Sequence, residues 1–285
     1  MMGGELAGLT RFPLARRGFV ASGLISGFTL ATTVVHAQAI HTEAAGLVTG
    51  EANVPTQAGT LPAYFARPEG AGPFPVVLVV EEIFGVHEYI KDVCRRLAKA
   101  GYLAVATEYY ARLGDLSKMT DAGQIIRDVI SRAPDETLMH DMDATAAWAA
   151  ANDGNGARLG VIGFCRGGRA VWLYAAHNAD LKAAVAFYGP VNTPATAIQP
   201  HNAIELASQL KCPLLGLYGG KDPSIAVSDV EAAAAKAKAA GHIVDIVVYP
   251  DSGHGFHADY RPSYNAHDAA DGWARALAWF KKYDA

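Results

Sequence analysis

Three residues far apart in the chain carry side chains suited to nucleophilic acyl transfer, and each follows a β-type run. Residues 161–168 read VIGFCRGG, a β-branched stretch that breaks at Cys165 with Gly163 two residues before it and Gly167 two after. Glycine at those spacings around a nucleophile marks a strand-to-helix elbow, which holds its central residue in a strained turn at a helix N-terminus. The dipole there favours a thiolate. Leu214–Gly219 breaks into GGKDP and places Asp222 just beyond it, and Val244–Tyr249 runs into PDSGHGF with His254. A histidine can take the thiol proton and later give it to a leaving group, while a carboxylate fixes the imidazole tautomer and steadies the imidazolium. Two backbone N–H groups suit the developing oxyanion: that of Arg166, next after the nucleophile, and that of Ile83 in EEIFG, after the run Val76–Val80.

Each residue alone has a plainer reading. A cysteine in a glycine-rich turn is often buried filling, Asp222 before Pro223 suits a turn, and His254 suits a loop. Together, each at a strand end and in the order nucleophile, acid, histidine, they match the chain order of α/β-hydrolase triads. Two other classes compete: a thiol redox protein built on Cys165, and a non-catalytic ligand-binding protein on the same fold. No C-x-x-C occurs, and a redox role leaves Asp222 and His254 unused. His254 and His257 have no supporting H-E-x-x-H or cysteine pair, so no metal and no cofactor is expected. His87, His140 and His177 read as surface or capping residues.

The elements that must position these side chains alternate. Strands are expected at Val76–Glu81, Leu103–Thr107, Leu159–Gly163, Ala183–Tyr188, Leu214–Gly219 and Val244–Tyr249, preceded by a hairpin over Val54–Gly59 and Thr60–Arg67. Ile90, Val93, Cys94, Leu97 and Ala98 form one apolar helical face, which puts Cys94 in the core. Ser228 with Glu231 predicts a capping box opening an Ala/Lys-rich helix that ends at Gly241, and Ala269, Trp273, Ala276, Leu277 and Phe280 mark a final amphipathic helix. Continuously apolar strands separated by helices imply a three-layer α/β domain around a mostly parallel central sheet. The irregular stretch Ala111–Pro134 is expected at the strand ends that carry the site, as a pocket wall.

With 285 residues, half of them hydrophobic, the chain can build one sizeable core. Residues 1–39 look like a twin-arginine export signal rather than structure: Arg16-Arg17, then an uncharged stretch from Gly18 to Val35, then Ala37-Gln38-Ala39 as an A-x-A cleavage site. The Gly, Ser and Thr in that stretch make it a weak membrane anchor. The division expected is therefore 1–39 signal and 40–285 a single domain, periplasmic or secreted, with the export machinery as a transient partner and no membrane in the mature form. Cutting after Ala39 removes three arginines and one glutamate, shifting the net charge from −4 to −6. No basic footprint for nucleic acid exists, so a small-molecule ester or lactone is the expected partner. Three cysteines (Cys94, Cys165, Cys212) cannot make a complete disulfide set, leaving at least one thiol free or paired between chains.

EEIFG, YYAR, GFCRGG, GGKDP and GHGF, in this order and spacing, resemble the dienelactone hydrolase family, the cysteine branch of the α/β-hydrolases. The resemblance implies a Cys165–His254–Asp222 triad working through a thioacyl intermediate. It implies that Glu82 hydrogen-bonds the resting thiol and is displaced by substrate, and that Arg112 of YYAR grips a substrate carboxylate. In the family a second arginine follows the histidine motif, whereas Ala258 stands there here, with His257 or Arg261 as substitutes. That departure points away from dienelactone itself as substrate.

Overall fold

The structure is a computed structural model that describes residues 40–285; the expected export segment lies outside the described residues. An antiparallel hairpin, β1 (Leu47–Thr56) and β2 (Gly59–Pro68), leads into β3 (Phe74–Val80), α1 (Glu88–Lys99) and β4 (Leu103–Thr107). There follow α2 (Ala122–Asp128), α3 (Asp135–Ala151), β5 (Gly154–Phe164), α4 (Arg166–His177), β6 (Leu181–Phe187), the single turn α5 (Ala203–Leu206), β7 (Leu214–Gly219), α6 (Val227–Ala239), β8 (Val244–Tyr249) and α7 (Ala266–Lys282). One sheet of eight strands runs β1-β2-β4-β3-β5-β6-β7-β8, antiparallel across β1, β2 and β4 and parallel thereafter. This is the three-layer α/β fold expected. Every residue from Val76 to Val80 is fully buried, as a strand covered by helices on both sheet faces requires.

The chain crosses from β3 to β4 on one side and then returns past β3 to β5, so the strand order reverses between β3 and β5. Loops at such a switch point diverge and leave a crevice at the carboxyl ends of the strands. Close approach seals its floor. A Cβ on Gly167 would sit 2.3 Å from the Val80 carbonyl oxygen, and one on Gly163 would sit 2.3 Å from that of Gly167. The glycines of the elbow are thus required by backbone contact between β3, β5 and the first turn of α4.

Some local expectations shift. The first hairpin turns at 57–58 with Thr56 paired to Gly59, and β1 begins earlier than expected, at Leu47. The Ser228–Glu231 capping box does not form: α6 begins after Ala226, and Ser228 already lies inside its first turn. The stretch Ala111–Pro134 contains α2, capped by the Asp121 carboxylate on the Gln124 N–H, so it is less irregular than its composition implies. Cys94, Cys165 and Cys212 are all free and buried, and burial pushes the Cys212 thiol up to about 12.

Candidate active site

Cys165 sits between β5 and α4 with φ 53° and ψ −116°, a left-handed backbone that L-residues rarely adopt. The turn is held by its neighbours: the Cys165 N–H donates to the Phe187 carbonyl at 3.0 Å, and the Arg169 N–H donates to the Cys165 carbonyl at 3.1 Å. His254 comes from the loop after β8, with Nε2 3.2 Å from Cys165 Sγ and Nδ1 2.7 Å from Asp222 Oδ2. The loops bearing Asp222 and His254 lock together. A Cβ on Gly219 would meet the Ser252 carbonyl oxygen at 2.5 Å, and the Lys221 N–H donates to that oxygen at 2.9 Å.

Burial raises the Asp222 carboxyl, but His254 and two donors from Ser224, its N–H at 2.8 Å and its hydroxyl at 2.6 Å, hold it below the usual range. Burial works against a charged imidazole at 254. The Cys165 sulfur and the Asp222 carboxylate outweigh it and push the His254 pKa up to about 10. At 3.2 Å from the sulfur, Nε2 is placed to take the thiol proton. The Tyr188 ring, on a residue with φ 37°, lies edge-on to the imidazole with centroids 5.2 Å apart.

The structure relocates Glu82. Among the described residues it makes no hydrogen bond with Cys165; Arg261 Nη2 donates to Oε1 at 2.9 Å, the Tyr260 hydroxyl donates to Oε2, and His87 Nε2 stands 3.6 Å from Oε2. A fully buried carboxylate gains more from a guanidinium than from a thiol. Burial alone would raise Glu82, yet Arg261, His87 and Tyr260 bring it down to about 2. Its neighbour Glu81 goes the other way: burial and the nearby Glu108 raise it well above the ordinary value, while Oε1 accepts from the Tyr109 N–H at 3.0 Å. Glu108 in turn accepts from the Val86 N–H at 3.0 Å, so adjacent acids tie the loop after β3 to the loop after β4.

Arg112 is relocated as well. Its guanidinium grips both oxygens of Asp141, at 2.7 and 3.1 Å, bonds the Thr56 hydroxyl and donates from Nε to the Ala58 carbonyl at 3.1 Å. Those bonds staple the first hairpin to α3, which is structural work. Of the two substitutes, Arg261 does stand at the site, in the electrostatic field of the Cys165 sulfur. His257 does not serve: buried among Phe164, Phe187 and Trp273 with Nδ1 2.7 Å from the Tyr89 hydroxyl, its pKa is pulled down to about 3 by burial and by Arg96, so it stays neutral.

Sequence reasoning assigned no role to the side chains of Arg166 and Tyr110. Arg166 Nε and Nη2 are buried without a hydrogen-bond acceptor, Nη2 standing 3.6 Å from Asp135, whose oxygens are taken by Arg169 at 2.7 and 2.8 Å. The buried Tyr110 hydroxyl lies beside the Arg166 guanidinium, which lowers its pKa against the effect of burial. Buried donors left without acceptors are costly unless a ligand satisfies them. Among the described residues no cluster of three metal-ligating side chains exists.

The match to the dienelactone hydrolase family model spans residues 61–284. The chain belongs to the dienelactone hydrolase family. Relatives from Methylorubrum extorquens (52% identical over 95% of this chain and 94% of theirs) and Escherichia coli K12 (47% identical over 90% and 96%) both bear the name "Putative carboxymethylenebutenolidase". A crystal structure described as "Putative Dienelactone Hydrolase" from Klebsiella pneumoniae superposes with a TM-score of 0.82 at 48% identity, covering 83% of this chain and 99% of its own. Family membership makes the protein a hydrolase of esters or lactones.

Proposed function

We propose that this dienelactone hydrolase family member cleaves a small carboxylic ester or lactone through a Cys165–His254–Asp222 triad and a thioacyl-enzyme. The observation that carries the reading is His254 Nε2, 3.2 Å from a sulfur held on a left-handed elbow and backed by Asp222 at 2.7 Å. The thiolate attacks the carbonyl carbon, forming a C–S bond, and the oxyanion takes the backbone N–H groups of Ile83 and Arg166. The C–O bond then breaks and His254 protonates the leaving oxygen, which in a lactone remains tethered to the acyl group. Water, deprotonated by His254, attacks the thioester and returns the carboxylic acid and the thiol.

An anionic group on the substrate suits the buried Arg166–Tyr110 pair, whose Arg166 Nε and Nη2 have no acceptor within hydrogen-bond range, better than Arg112, whose donors are already engaged. We further propose twin-arginine export with removal of residues 1–39, on the strength of Arg16-Arg17 and Ala37-Gln38-Ala39. Hydrolysis of p-nitrophenyl acetate and of a small lactone panel by wild type and Cys165→Ala tests the reaction. Turnover is expected from wild type alone, and equal turnover by both proteins would refute thiol catalysis.

A further inference from the structure

The start of the described chain, itself largely exposed, is tied to charged side chains of α1 and of the loop after β8. The Thr42 N–H donates to Asp92 Oδ1 at 2.6 Å, and Arg95 Nε donates to the Thr42 carbonyl at 2.9 Å. Lys99 Nζ donates to the Ala45 carbonyl. These bonds fix the segment against α1. They deliver the Ile40 nitrogen to 3.3 Å from Oδ2 of Asp259, a carboxylate that Arg96 Nη2 also reaches at 2.7 Å. Asp259 is 1% exposed in its side chain, and its second oxygen, Oδ1, is buried with no donor.

Ile40 is the residue that a cut at the A-x-A motif would place first. Hydrolysis of the Ala39–Ile40 bond by a signal-removing peptidase uses one water, leaves a carboxylate on Ala39 and converts the Ile40 amide into an α-ammonium. A peptide N–H is one neutral donor; an ammonium is three donors and a positive charge. The surroundings call for that change. Among the described residues, the buried carboxylates Asp92 and Asp259 pair with Arg95 and Arg96, and the exposed Glu88 joins them through Arg95. Asp259 Oδ1 is the acceptor in this cluster still without a donor.

We propose that Asp259 is the receptor for the α-ammonium of Ile40, so that removal of the first 39 residues completes a partly buried ion pair on the loop that carries His254. The inference rests on the export reading above. Asp259 adjoins Tyr260 and Arg261, the two residues that hold Glu82, which follows β3 beside the oxyanion N–H of Ile83. Maturation would therefore brace the loop from His254 to Arg261 through the side chain of Asp259.

The test compares three forms: the full chain, a chain beginning at Ile40 released from a cleavable fusion, and the same chain keeping Ala39 as one extra residue. The Ile40 chain is expected to melt about 2–4 °C above the Ala39 chain, and its α-amine to react with acetic anhydride at least about tenfold more slowly than that of the Ala39 chain. Both differences should vanish in Asp259→Asn. Equal melting points and equal amine reactivity in wild-type sequence would overturn the ion pair, as would differences that persist in Asp259→Asn. Intact mass of the exported protein separates the two readings: retention of residues 1–39 overturns the export reading and with it the natural role of the pair, whereas the purified chains report on the pair itself.

Discussion

Asp222→Asn is a nearly isosteric change whose effect follows from which oxygen is spoken for. Oδ1 of Asp222 accepts from the Ser224 N–H and hydroxyl, so an amide at this position keeps its oxygen there and turns its NH₂ toward His254 Nδ1. A donor facing Nδ1 fixes the imidazole proton on Nε2, which can then no longer accept the thiol proton. The imidazolium also loses its carboxylate. The rise of His254 to about 10, against burial, comes from the Cys165 sulfur and Asp222 together. Loss of that carboxylate together with the wrong tautomer should slow the thiol step by about 10²- to 10⁴-fold. The assay is kcat/KM for p-nitrophenyl acetate across pH 6–9, beside the rate of iodoacetamide labelling of Cys165. Both should fall in Asp222→Asn. Adding Ser224→Ala removes one of the two donors that orient the amide and should restore activity by about threefold or more. A single variant within fivefold of wild type would refute the account of Asp222.

Three further outcomes follow from the same contacts. Glu82 is depressed to about 2, so the stability it confers is present above its unfolded value near 4.5 and lost as pH falls through about 2; Glu82→Gln should cost about 3 kcal/mol at pH 7 by stranding Arg261 and should flatten the acid limb of a urea-denaturation series. Gly167→Ala should lower stability by about 3 kcal/mol or more and abolish activity, because its Cβ would lie 2.3 Å from the Val80 carbonyl oxygen; a folded, active variant by circular dichroism and turnover would contradict the close packing of β3 on the elbow. Arg112→Ala should lower the melting temperature while leaving KM for a carboxylate-bearing ester within about twofold, since its guanidinium is spent on Asp141; a tenfold rise in KM would return it to the binding site.

The parallel strands and the elbow were legible in the sequence because both signals are local: apolar runs too continuous for a one-sided sheet, and glycines at fixed offsets from Cys165. The convergence of Cys165, Asp222 and His254 was also readable, since parallel strands bring their following loops to one edge. The partners of Arg112 and Glu82 were not. Asp141 lies 29 residues from Arg112, and Tyr260 and Arg261 lie 178 and 179 residues from Glu82. Such pairings depend on how loops fold over the edge and leave no periodic trace. Ser224 offered a weak clue, being two residues after an acid in a turn, the spacing of an Asx-type hydrogen bond. Helix starts followed tertiary packing over propensity, as the unused Ser228–Glu231 pair shows.

The most direct measurement is rapid quenching in acid during turnover of a slow ester, followed by peptide mass mapping. The account predicts an acyl group on the peptide containing Cys165, absent from Cys165→Ala and accumulating in a variant with impaired deacylation. Turnover with the acyl group elsewhere, or undiminished in Cys165→Ala, would contradict the claim that this thiol is the nucleophile.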